Sequence, residues 1–114
     1  MAQYGILVYQ PAPADPMEIP AEYEKALESY PAQVAELGAT PVTGFALQPS
    51  TAATSVRGDV VTDGPFIEAK EVVAGFFVIE APSPEVALEV AKLNPATQHG
   101  GGVEVRPLFV APDE

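Results

Sequence analysis

Hydrophobic and polar positions follow several distinct rhythms along the chain, and each predicts a different element. From Gln3 to Tyr9 both alternating sets are apolar, with Tyr4, Ile6 and Val8 on one and Leu7 and Tyr9 on the other. A strand with no polar side needs cover on both faces, so this run reads as central in its sheet. Between Pro11 and Pro20 the prolines Pro11, Pro13, Pro16 and Pro20 interrupt any period, which predicts a rigid loop beside the strand end. From Pro20 onward Tyr23, Ala26, Leu27, Tyr30, Val34 and Leu37 recur at helical spacing, with Glu22, Glu24, Lys25, Glu28, Gln33 and Glu36 between them. That is an amphipathic helix stopped by Gly38. Pro31 falls inside it and removes the donor to the Leu27 carbonyl, so the pattern predicts two helical pieces rather than one.

Thr40 to Leu47 reads as a strand closed by Gln48-Pro49-Ser50, and Ala52 to Val61 as a hairpin turning at Arg57-Gly58-Asp59. The Arg-Gly-Asp string is explained by that turn, since nothing marks the protein as secreted. Asp63-Gly64-Pro65-Phe66 is a second turn, expected to end a strand and aim Phe66 inward. Val72 to Ile79 is again apolar on both faces, hence a second central strand, and Gly75 within it predicts a bulge or a close approach by another backbone. A helix follows with Ser83 as N-cap, Pro84 at its first position and Glu85 in its first turn. Its polar stripe is only Glu85, Glu89 and Lys92, which predicts cover on more than one face, and Asn94-Pro95 stops it. Val103 to Val110 then alternates as a strand with one polar face.

The order strand, helix, strand, hairpin, strand, helix, strand predicts an α+β domain on the ferredoxin-like split βαβ plan, an antiparallel sheet with helices on one face. Such a sheet leaves its other face open, yet both central strands are apolar on both sides. A second copy packed sheet to sheet covers that face economically, so a homodimer is expected.

Composition narrows the function classes. The 114 residues fit one domain, 1–114. Five Lys and Arg against 16 Asp and Glu give a net charge of −11, which opposes direct binding to nucleic acid or to an anionic membrane. Cysteine is absent, which excludes disulfides, thiolate zinc sites and a cysteine nucleophile. The opening segment has no basic region and its apolar run from Tyr4 to Tyr9 is short for a signal peptide or a membrane span, so a cytoplasmic location is expected.

The run Thr62-Asp63-Gly64-Pro65-Phe66-Ile67-Glu68-Ala69-Lys70-Glu71, followed by Gly75-Phe76-Phe77, resembles the signature of the DGPF-domain proteins in the YCII-related superfamily. The resemblance extends to the Tyr4–Tyr9 strand, Gly44-Phe45-Ala46-Leu47-Gln48-Pro49, Thr54-Ser55-Val56-Arg57, the helix start at Ser83, Pro95-Ala96 and Val103-Glu104-Val105-Arg106-Pro107. It implies a dimeric α+β barrel, and kinship with small dimeric enzymes that act on organic acids or aromatic metabolites. Family members often lie near, or are fused to, extracytoplasmic-function sigma factors. In some YCII-related proteins a His and Asp pair is suspected of catalysis. Here the only histidine, His99, follows the second helix instead of falling early in the chain, so that role is not carried over.

Candidate chemistry gathers around the motif. Asp63, on a tight turn above a central strand, is the first choice for a general base, its alternative role being to shape that turn. Glu68 and Lys70, two residues apart, fall on one side of an extended segment and could pair at a pocket mouth. Arg57 and Arg106 are the only arginines and could anchor a substrate carboxylate, although Arg106 could equally pair with Glu104. Tyr9 and Phe66 are candidates for lining an apolar ligand pocket, with core packing as the plainer explanation. His99, ahead of Gly100-Gly101-Gly102, is a second-rank proton carrier. That glycine run resembles an oxyanion loop but lacks the G-x-S-x-G elbow such a loop serves. A lone histidine without clustered acids argues against a metal site, and no cofactor is implied. Two functions are therefore expected of different classes: a small-molecule site for an anionic or aromatic metabolite, or a regulatory protein that meets a sigma factor through its acidic surface.

Overall fold

A computed structural model describes residues 1–67 and 69–110; Glu68, a candidate above, lies outside the described residues. The elements in chain order are β1 (Ala2–Pro11), α1 (Ala21–Glu36), β2 (Thr40–Ala46), β3 (Thr54–Arg57), β4 (Val60–Asp63), β5 (Glu71–Ala81), α2 (Pro84–Lys92) and β6 (Gly102–Pro107). Short 3-10 turns occupy Pro16–Glu18, Ser50–Ala52 and Pro95–Gln98. The architecture is mixed α+β: two helices with an antiparallel sheet in the order β2-β5-β1-β6, beside a separate β3-β4 hairpin.

The two runs that are apolar on both faces, β1 and β5, are the central strands and pair along their whole length from Ala2↔Ala81 to Pro11↔Glu71. Tyr4 and Ile6 of β1 and Ile79 and Ala81 of β5 join Tyr30 and Val34 of α1 and Ala87 and Val90 of α2 in one buried core. Val103 and Val105 of β6 pack against its side. The two helices are tied together where the Tyr30 hydroxyl donates to the Val90 carbonyl at 2.6 Å.

Gly75 meets both expectations for it. The register slips opposite it, Val8 facing Gly75 and Tyr9 facing Val73, so Ala74 is the extra residue of a bulge. On the other side the backbone of β2 comes so close that a Cβ at Gly75 would stand 2.4 Å from the Phe45 carbonyl oxygen.

Helix α1 corrects the expected break. It runs unbroken from Ala21 to Glu36 with Pro31 inside it. A proline in a helix interior costs about 3 kcal/mol or more through the lost bond and the clash with the preceding turn. Tyr23, Tyr30 and Val34, on both sides of Pro31, are all buried, and keeping that face seated on the sheet outweighs the cost of the proline. Helix α2 begins as expected, with the Ser83 hydroxyl accepting from the Val86 amide at 3.2 Å. Only one of its faces is covered, however: Ala87, Val90 and Ala91 are buried while Leu88 is 50% exposed. The last strand stops at Pro107, short of the expected Val110, with one further bond to β1 from the Leu108 amide to the Gln3 carbonyl at 3.0 Å.

Phe77 meets Tyr30 edge-on, at 5.9 Å between ring centroids, so its neighbour Phe76 belongs to the opposite face of the sheet. There Phe76 and Phe45 stand directly opposite across β5 and β2, their ring centroids 5.5 Å apart and their side chains 41% and 58% exposed. Among the described residues no helix is long and apolar enough to cross a membrane.

Candidate functional site

The helical spacing that buries α1 also roofs a cavity. Tyr23, Leu27, Tyr30 and Val34 recur every three or four residues and so share one face of the helix. Beneath them β2 and β5 present Ala46, Ala74 and Gly75, whose small side chains cannot fill the gap. The result is a space of about 330 Å³ between helix and sheet, completed by Val8, Phe77 and Ile79 and by Ala14, Pro16 and Ile19 from the loop after β1. None of the residues that line it carries a charge, and its polar side chains are Gln10, Tyr23, Tyr30 and Asn94.

Those four are bonded in two pairs. Tyr30, besides donating to Val90, takes a hydrogen bond from Asn94; burial nevertheless pushes its phenol up to about 12. Asn94 is itself 3% exposed, and its side-chain carbonyl accepts from the Ala96 amide at 2.9 Å, which starts the turn after α2. At the other end of the cavity the Gln10 side-chain amide donates to the Tyr23 hydroxyl oxygen. Burial raises the Tyr23 phenol above its ordinary value, and the Gln10 bond partly opposes that rise. The half-buried ring of His99 lies 4.7 Å from the Tyr23 ring, tilted by 36°.

The glycine run after His99 brings it there. A Cβ at Gly101 would fall 2.1 Å from the Tyr9 carbonyl oxygen, and the Gly101 amide bonds the Ala96 carbonyl at 2.9 Å. Only a residue without a side chain lets this segment cross the end of β1 so closely. The glycine run is thus a close crossing.

A second, more open hollow of about 700 Å³ lies at the motif, lined by Tyr9, Leu47 to Ser50, Pro65 to Ile67 and Glu71 to Val73. Tyr9 and Phe66 are both on its wall. Phe66 does not turn inward as expected: it is 55% exposed, and the Arg57 guanidinium sits 4.2 Å above its ring centroid. A cation resting on an aromatic face holds the ring at the surface, where both groups keep water on one side.

The remaining candidates lie apart. Asp63 is exposed at the end of β4 and its carboxylate makes no hydrogen bond among the described residues. The turn it was expected to shape is held instead by the Ser55 hydroxyl, which donates to the Gly64 carbonyl at 2.6 Å, and by the Gly64 amide, which bonds the Ala53 carbonyl at 2.8 Å. Lys70 is exposed, and its backbone carbonyl accepts from Ala12 at 2.8 Å. Arg106 pairs with Glu104 at 2.5 Å on the exposed side of β6. Asp63, Arg57, Lys70 and Arg106 line neither hollow, and His99 and Asp63 are not brought together in either of them. Among the described residues no group of three or more His, Cys, Asp or Glu side chains is placed to hold a metal ion.

Gln10, Tyr23 and Asn94 were not singled out in the sequence. The available signal was two tyrosines, Tyr23 and Tyr30, at core-facing helix positions where leucine would pack as well; a buried phenol needs a partner for its hydroxyl. Asn94 read only as a helix stop.

Comparison with known proteins places the chain. An uncharacterised protein of Rhizobium meliloti (strain 1021) is 43% identical over an alignment of 67 residues, and the match covers 54% of this chain and 54% of that protein. The match therefore spans about half the length of this relative. The family model for the YCII-related domain matches residues 17–111, most of the chain, and the protein belongs to the YCII-related family.

Proposed function

We propose that this protein binds a small aromatic metabolite in the cavity beneath α1. One observation carries the reading: a cleft of about 330 Å³, open to solvent on the β2 side, lined by apolar and aromatic side chains with two bonded polar pairs and no charged residue on its wall. Ligand sites are concave, mostly apolar and supplied with a few fixed polar groups, and this cavity has that composition. Between the organic acids and the aromatic compounds that the family resemblance suggests, the wall favours the second, because a buried carboxylate would find no cation there. The strand order β2-β5-β1-β6 with every neighbour antiparallel supports the ferredoxin-like plan, and the Asp63-to-Phe66 motif supports the DGPF branch of the family.

The exposed pair Phe45 and Phe76 supports a homodimer joined through the open sheet face. Light scattering on a sizing column tests it: twice the chain mass for the wild type and one chain mass for Phe76→Asp are expected, and a monomeric wild type sinks the dimer.

Binding is tested by titrating aromatic compounds into the isotope-labelled chain and following amide shifts. Ala46→Leu and Ala74→Leu each push a larger side chain into the cavity, and each should abolish binding while the spectrum stays that of a folded protein. If shifts persist in both variants, or cluster around Tyr9 and Phe66 instead, the ligand lies elsewhere.

A further inference from the structure

We infer that the hollow at the Asp63-to-Phe66 motif is completed by a second copy of this chain: Phe109 and Val110, just past the last strand of one protomer, fill the hollow beside Phe66 of its partner. The inference rests on the dimer through the open sheet face proposed above, and it adds the occupant of the hollow.

Alternation along β1 fixes where the two parts lie. Val8 and Gln10 line the cavity beneath α1, so Tyr9 between them points to the open face, and the hollow it lines belongs to that face. Gly5, between the core residues Tyr4 and Ile6, faces the same way. Leu108 takes the space that Gly5 leaves: its Cδ2 lies 3.4 Å from where a Cβ would stand, and its amide bonds the Gln3 carbonyl at 3.0 Å. The chain is thus pinned to the open face about 13 Å from Tyr9 along the strand. Each further residue advances at most about 3.6 Å, so Phe109 and Val110 fall short of their own hollow. They are 88% and 82% exposed. When two such faces pack about a twofold axis that crosses the strands at right angles, the strand ends are exchanged, and each tail comes over the partner's hollow.

Area and charge favour the same occupant. A stable interface takes about 800 Å² from each partner. Phe45 and Phe76 are 58% and 41% exposed, and at about 200 Å² for a whole aromatic side chain they offer about 200 Å² together. Every copy contributes both a tail and a hollow, which adds Leu47, Phe66, Ile67, Phe109 and Val110, each between 44% and 88% exposed. Exposed apolar groups of this extent on one face mark a contact surface. Two chains of net charge −11 repel, so their contact needs local complementarity. Asp113 and Glu114 follow Val110 in the sequence, and two of the five basic residues stand at the hollow: Arg57 over the Phe66 ring, and Lys70 between Ala69 and Glu71 of its wall.

The chain has no cysteine, so single introduced thiols report which surfaces meet. Full-length Val110→Cys and Ile67→Cys are equilibrated together and oxidised mildly, and the cross-linked dimer is followed by mass. Both positions are exposed, so neither change disturbs the core. The mixture is expected to cross-link at least about tenfold faster than Val110→Cys with Leu88→Cys, an exposed position on the helix side, because the dimer raises the local thiol concentration only where tail and hollow meet. Val110→Cys alone should be as slow as that control. Phe109→Ala should raise the dimer dissociation constant about a hundredfold by light scattering on dilution, since two tails are lost per dimer and each is worth about tenfold. A dimeric wild type with no preferential cross-link between Val110→Cys and Ile67→Cys, or with Val110→Cys pairing mainly with itself, overturns the proposal and leaves the sheet-face dimer standing. An unchanged dissociation constant for Phe109→Ala does the same. A wild type that is monomeric removes the dimer and the tail's place in it together.

Discussion

Replacing Gly75 with alanine tests the packing that positions the cavity's floor. The new Cβ would stand 2.4 Å from the Phe45 carbonyl oxygen and 3.2 Å from the Ala46 Cα. A carbon rests against a carbonyl oxygen at about 3.3 Å or more, so roughly 0.9 Å must be opened. What it meets is backbone and cannot rotate away. β2 is an edge strand with a single neighbour in the sheet, and it has to move bodily. Overpacking of this kind costs about 1–3 kcal/mol, and a backbone obstacle places it near the top of that range. Alanine recovers about 0.4–1 kcal/mol by restricting the unfolded chain. The net loss is about 2 kcal/mol, a fall in Tm of roughly 10 °C for a chain of this size. Differential scanning calorimetry on Gly75→Ala and, as control, Gly102→Ala measures it. Gly102 has nothing within 4 Å of its would-be Cβ, so the control should melt with the wild type or above it. Because β2 carries Ala46, Gly75→Ala should also weaken any ligand of the cavity. A Gly75→Ala protein that melts within about 2 °C of the wild type would refute the reasoning, since the expected penalty is several times larger.

Three further outcomes are expected. Pro31→Ala restores the amide that can donate to the Leu27 carbonyl and should raise stability by about 2 kcal/mol, visible in urea as a higher midpoint at unchanged slope; a lower midpoint would show that the ring itself is needed on the cavity wall. The Tyr30 pKa is raised from 10.0 to about 12 in the fold, and Tyr23 shifts in the same direction. Burial of the neutral phenols therefore contributes stability that is complete below pH 10 and is lost as pH rises toward 12. Tyr30→Phe should flatten part of that alkaline decline and cost about 1–2 kcal/mol at neutral pH, where the Val90 carbonyl loses its donor; an unchanged alkaline profile would contradict it. Arg106→Ala removes an exposed ion pair with Glu104 and should change stability by less than about 0.5 kcal/mol, so a larger loss in thermal denaturation would give that pair a role its exposure does not suggest.

Much of the scaffold was legible because it follows local rules. Two runs apolar on both faces can only be inner strands, and Ser83-Pro84-Glu85 can hardly be anything but a helix start. Gly75 announced a close approach because a strand interior otherwise has no use for glycine. Pro31 misled for the complementary reason: its helix-breaking tendency is local, whereas the burial of Tyr23, Tyr30 and Val34 that overrides it is tertiary. Turn chemistry located the Asp63-to-Phe66 bend but left open which way Phe66 would point, a choice settled by Arg57 from the neighbouring strand. The cavity was the least legible feature. It consists of missing volume, created where Ala46, Ala74 and Gly75 from two strands fall beneath one helix, and no single stretch of sequence contains it. The pairing of Gln10 with Tyr23 joins the end of β1 to α1 across a loop that has no period to read.

The β3-β4 hairpin shares no ladder with the four-stranded sheet, and the bonds that set its register all lie between Ala53 and Gly64. A unit written over so short a stretch closes in about 1–10 μs, long before the distant pairing of β1 with β6 can be found. It can likewise open alone, since an isolated two-stranded ribbon is barely stable in water. Its amides should exchange with solvent through small local excursions while those of Ile6 and Ile79 wait for the whole molecule to unfold.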